Sequence, residues 1–118
     1  MKERIYEEIP RLPRSEGLRM LQERDGPTRS RALLALALHD EDWRWVQDLS
    51  LELINDADPA MRGTAVLALA HLARIHRALD LDKVLPELNR LKHDVAISGR
   101  VEDALSDIEI FLKVPPTA

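Results

Sequence analysis

The chain has 118 residues, no cysteine and a formal net charge of −4, which is enough length for one domain with its own core but not for a second. Aromatic residues make up only 3% of it, while Leu and Ala dominate, a balance that suits helices and argues against a β-sandwich. The missing cysteine excludes a disulfide framework, a thiol nucleophile and a thiolate metal site, and the acidic balance disfavours a general nucleic-acid binder.

The punctuation of the chain predicts five or six helices. Met1 to Arg14 carries Pro10 and Pro13 and reads as a mobile or extended arm, residues 1–14. Its acidic residues interrupt any apolar stretch, so it is not expected to be a signal peptide, and a cytoplasmic location follows. Ser15 is expected to cap a first helix reaching about Arg24, where Asp25-Gly26-Pro27 breaks the chain. A second helix is expected over Pro27 to Leu38. The acidic stretch His39-Asp40-Glu41-Asp42 leads into a third, Asp42 to Ile54, with negative charge at its positive end.

The fourth helix, Pro59 to Arg77, has the clearest start. Asp58 can accept a bond from a free backbone N–H, and Pro59 loses no bond at the first helical position. From Ala65 to Ile75 it is apolar almost all round, broken mainly by His71 and Arg74, so it reads as the central helix enclosed by neighbours. Leu79-Asp80-Leu81-Asp82 opens a fifth helix that reaches about Lys92, with Pro86 implying a late start or a kink. Ser98 is expected to cap the last one, ending near Lys113 before Pro115-Pro116. The expected core comprises Leu34, Leu36, Val46, Leu49, Leu53, Ala65, Leu69, Leu72, Leu85, Leu88, Ala104, Leu105 and Ile108. No stretch approaches the length of a membrane span.

The segment Asp58-Pro59-Ala60-Met61-Arg62-Gly63-Thr64-Ala65-Val66-Leu67-Ala68-Leu69 has a weaker copy beginning about 33 residues earlier, a period typical of stacked helical pairs. In that register Arg29 falls on Arg62, Ala32 on Ala65, Leu34 on Leu67 and Leu36 on Leu69. Arg62 lies on a polar edge from which it can reach a carboxylate of the neighbouring repeat. The pattern resembles the HEAT-repeat family over Asp40 to His76, less well over Gly26 to Asp40, and poorly toward the C-terminus. The resemblance implies an all-α fold, a HEAT-like α-solenoid of about three antiparallel helical hairpins in a single domain. Such arrays usually bind another macromolecule along an extended surface.

Residues that carry chemistry are few. His71 and His76 lie about 140° apart around a helix, and with His39 and His93 they offer no paired metal-ligand spacing. No metal or cofactor is expected. Neither a Gly-x-Ser-x-Gly turn nor a Gly-rich phosphate loop occurs, so the chain is not expected to be an enzyme. Asp103 and Asp107 share a face of the last helix, within an acidic run completed by Glu102 and Glu109. His71, Arg74 and Arg77, with His76 beside them, form a basic cluster on the central helix. The two clusters either pair with each other or face a partner. Trp43 and Trp45 point in nearly opposite directions on their helix, so one is expected between helices and the other at an edge, where it can anchor a partner.

Three runs carry a closer resemblance: Asp42-Trp43-Arg44-Trp45-Val46-Gln47-Asp48, His71-Leu72-Ala73-Arg74-Ile75-His76 and Gly99-Arg100-Val101-Glu102-Asp103-Ala104. They resemble small bacterial HEAT-like proteins, some of which are similar to immunity proteins that neutralise a toxin delivered by a neighbouring cell. The resemblance implies a stoichiometric inhibitor whose protein partner is a cognate toxin domain. The expected partner-binding residues are Trp43, Trp45, Arg74, Arg77, Glu102, Asp103 and Glu109. The alternatives are a structural scaffold and a nucleic-acid-binding or DNA-repair protein. Only the N-terminal arginines Arg11, Arg14, Arg19, Arg24, Arg29 and Arg31 support nucleic-acid binding, which is therefore not the favoured partner, and nearby Glu residues offset them.

Overall fold

The computed structural model describes residues 9–113, and among these residues it has six helices: α1 Arg14–Leu21, α2 Gly26–His39, α3 Trp43–Leu53, α4 Pro59–His76, α5 Leu81–Leu91 and α6 Ser98–Leu112. The described residues contain no strand, so the all-helical expectation holds. The helices begin where the sequence supplies acceptors for their free N–H groups. The Asp25 carboxylate accepts from the Thr28 N–H at 3.0 Å, Asp42 from Trp45 at 3.1 Å and Asp58 from Ala60 at 3.0 Å, each satisfying an orphan donor of the first turn.

Two expected caps are absent. The helix α1 starts one residue before Ser15, with Pro13 in the capping position, and Ile97 rather than Ser98 precedes α6; neither end carries a side-chain cap bond. Ile97 is buried, so apolar packing instead of capping fixes where the chain enters α6. Nor does Pro86 delay α5, which begins at Leu81 and runs through it. The start of α5 is held from outside, by a clamp from α3 described below.

Central position belongs to α4, as its all-round apolar pattern predicts. It packs against α2, α3 and α6, while α1 packs on α2 and α5 on α6. Small residues Ala65, Ala68 and Ala73 are fully buried there, with Val66, Leu69 and Leu72 between them. Short side chains let helix axes approach and larger ones fill the grooves. Of the expected core, Leu36, Val46, Ala65, Leu69, Leu72, Leu88, Ala104 and Ile108 are buried. Leu49, Leu53, Leu85 and Leu105 are partly buried against that core. Leu34 is a correction: it is half-buried, because the inner face of α2 runs through Ala32, Leu33, Leu36 and Ala37. Its register mate Leu67 is half-buried too.

The repeat register is visible in the ion pairs. Arg29 holds Asp56 at 2.8 Å and donates to the Leu21 carbonyl at 3.0 Å. Arg62 holds Asp94 at 3.1 Å and donates to the Asp56 carbonyl at 3.0 Å, so it does reach a carboxylate beyond its own helix. Each acceptor also orders its own turn, Asp56 receiving the Asp58 N–H and Asp94 the Ala96 N–H. Arg62→Met keeps the aliphatic stem but strands a partly buried carboxylate, and is expected to cost about 2 kcal/mol in urea unfolding. A loss under about 0.5 kcal/mol, the level of an exposed surface pair, would show that the ladder is ornamental.

Residues 9–14 overlap the expected arm, whose first eight residues lie outside the described ones. Ile9 is 6% exposed. Its carbonyl accepts from the His39 Nε2–H at 2.8 Å, and Arg11 donates to the His39 carbonyl at 2.9 Å. This stretch is docked against the end of α2.

Candidate partner-binding surface

Most arginines of the N-terminal half are engaged inside the molecule. Arg14 grips Asp40 at 2.9 Å and Asp42 at 3.3 Å, and Arg19 bridges Glu16 and Glu23 along α1. With Arg29 committed to Asp56, little remains of the basic character that a polyanion would need.

Trp43 and Trp45 both sit half-buried against the core. Each is covered by an arginine: Arg14 lies 4.3 Å over the Trp45 ring and Arg44 4.7 Å over Trp43. A guanidinium on an indole face is attracted by the ring quadrupole. Arg44 also binds Asp80 through two bonds of 3.0 Å. Buried Gln47 completes that clamp, accepting the Asp80 N–H at 2.6 Å and donating to its carboxylate at 2.8 Å. Together Arg44 and Gln47 hold the Asp80 carboxyl down at about 2. Sequence reading missed Gln47, although its place with Trp43, Val46 and Ser50 on one face of α3 was a usable signal.

The charges on α4 and α6 behave differently. Arg74, Arg77, Glu102, Asp103 and Glu109 are exposed and Asp107 half-buried. None of them makes an ion pair or hydrogen bond with a described residue. These exposed charges thus form no direct ion pair across the two helices, although Arg74 acts on Asp107 through its field. Arg77 instead closes α4 in a left-handed conformation, φ 52°, and stacks 5.5 Å over Phe111 of α6. That backbone region is sparsely used by long side chains.

Between the two helices runs a groove of about 260 Å³ lined by Leu67, Ala70, Arg100, Asp103, Ala104 and Asp107. Lost hydration pushes the Asp107 carboxyl above the usual carboxylate range, with Arg74 opposing the shift and Asp103 adding to it. At one end the Arg100 stem lies over Gly63, where a Cβ would stand 3.3 Å from Arg100 Cδ. His71, grouped by sequence with Arg74 in the basic cluster, is 1% exposed. Burial, assisted by Arg74 and Arg100, pushes its pKa down to about 4. The structure therefore brings Arg74, Arg77 and Asp103 to one helix pair and leaves the tryptophans on α3.

No helix among the described residues is long and apolar enough to cross a membrane. No protein-family model matches the chain, and no curated protein matches it. Among solved structures it is similar to a chain of the "Crystal structure of CDI complex from Cupriavidus taiwanensis LMG 19424". That match has a TM-score of 0.80 and 29% sequence identity, and covers 88% of this chain and 94% of the other.

Proposed function

We propose that this protein is the immunity member of a contact-dependent inhibition pair, a stoichiometric inhibitor that binds a toxin domain and does no chemistry of its own. The near full-length similarity to a chain of a CDI complex carries this reading. The array is read as a HEAT-like stack of three antiparallel hairpins, in keeping with the contacts of α2 on α4 and α4 on α6 and with the repeated Arg–Asp rungs. Its action then falls in the cytoplasm of the cell that makes it.

Docking on the α4 and α6 surface is favoured by a division of labour among charges. The ladder arginines are consumed in ion pairs between helices and turns, whereas Arg74, Glu102, Asp103 and Glu109 hold no ion pair with a described residue and Arg77 is stacked only on Phe111. Uncommitted charges of both signs fix orientation and exclude wrong partners. Trp43 and Trp45 contribute at the rim through the faces their arginines leave uncovered.

The direct test is calorimetric titration with a toxin domain encoded beside this protein's gene, where a search of the neighbouring genes finds one. A single saturating event of one molecule to one, with loss of the domain's toxicity on coexpression, is expected. Arg74→Glu combined with Asp103→Arg should weaken that binding by more than about 2 kcal/mol, as for desolvated interface charges, while the melting temperature stays near wild type. Retained binding with a collapsed melting temperature would mean that both residues serve the fold and that docking lies elsewhere.

A further inference from the structure

The geometry points to the groove between α4 and α6 as a receptor for one lysine or arginine side chain projected by the protein partner. The inference rests on the proposed inhibitor reading and adds the chemistry of the contact. Asp103 and Asp107 stand one helical turn apart on the same face of α6 and both line the groove. Neither has an ion pair or hydrogen bond with a described residue. Every Asp of the repeat ladder, in contrast, holds an arginine.

Asp107 has the most to gain. It is half-buried and has given up part of its hydration, a cost that the field of Arg74 offsets only in part and that a direct charge-assisted bond would remove. Its neighbour Asp103 repels it, and a single cation seated between the two relieves both. The floor of Leu67, Ala70 and Ala104 is apolar and suits the methylene stem of such a side chain, whose charged head then reaches the carboxylates. The volume of about 260 Å³ admits a long side chain but not a helix or an aromatic cluster. Arg100 also lines the groove, but it is exposed, so water screens its repulsion more than it screens the attraction of half-buried Asp107.

The probe is the same neighbour-encoded toxin domain. Asp103→Asn with Asp107→Asn preserves shape and removes only charge, and should raise Kd on the order of 30-fold while flattening its salt dependence. A control, Glu52→Gln with Asp82→Asn, removes as much charge from exposed positions on α3 and α5 and should change Kd by less than about threefold. If wild type binds and the groove variant stays within that threefold range, the groove inference is overturned and the inhibitor reading stands. If wild type does not bind, the inhibitor reading falls and takes this inference with it. If the groove variant instead alters the sedimentation of the protein alone, the occupant is a second copy of this chain, which also overturns the proposal.

Discussion

An Asp in place of Ala68 is expected to abolish folding: the helical far-UV circular dichroism signal should be lost at 25 °C. Ala68 is fully buried in α4, the helix that packs against α2, α3 and α6. A carboxylate there has no water and no cation built to meet it. Burying such a group unpaired costs several kcal/mol, and it is also larger than the methyl it displaces. A domain of this size has about 5–15 kcal/mol in total, so one such change takes most of the margin. Ala68→Ser at the same site separates volume and polarity from charge, and should remain folded with a loss of about 1–3 kcal/mol. A well-folded Ala68→Asp protein would mean that α4 is not enclosed as its burial implies.

That prediction could have been made from the sequence alone, and the reason is periodicity. Asp58-Pro59 marks a start, and the apolar run after it is too complete for a helix with a wet face. The same logic placed Arg62 within reach of a carboxylate beyond its own helix, and it holds Asp94. Local capping rules did less well where packing overrides them. Ser98 has the right side chain for a cap, yet buried Ile97 occupies that position because its side chain is worth more in the core. Leu34 failed for a related reason. Hydrophobicity nominates it, but the helical phase set by Ala32, Leu33, Leu36 and Ala37 turns it off the inner face.

The candidate site was legible in part. The residues of α4 and α6 that share its surface followed from helical phase and sign of charge, so Arg74 and Asp103 were placeable. The groove was not, because its existence depends on how far apart two helices sit. Gly63, Ala70 and Ala104 set that distance only once their partners are known. The Arg cover on Trp43 and Trp45 was equally hidden. It joins Arg14 to a ring 31 positions later, and no local pattern announces that. Gln47 illustrates the remaining gap: a polar residue in a buried phase signals a specific partner, but only the fold supplies Asp80.

The surface and the core meet at His71, and acid should expose the connection. Its imidazole is 1% exposed and titrates near 4 in the folded protein against 6.5 for the free side chain. Burial disfavours the cation first, and Arg74 and Arg100 add to this. The folded-state pKa is depressed, so the unfolded chain binds the proton first. Stability is then full above about pH 6.5 and falls as pH drops toward 4. Between pH 7.5 and 5 the loss is expected to be about 2 kcal/mol, approaching about 3 near pH 4. Asp40, Asp56 and Asp80 are held below their usual range, and the stability they contribute is lost only below about pH 5. Asp107, shifted upward, works in the opposite sense and softens the fall at its lower end. Urea unfolding of wild type and His71→Leu at several pH values isolates the effect. Wild type should lose stability steadily from pH 6.5 downward, whereas the variant should be flat to about pH 5, whatever its starting value. Parallel curves for the two proteins would mean that His71 takes up its proton while folded. The cation would then have a route to solvent or a counter-charge, and the α4–α6 groove directly above Ala70 would be the place to look for it.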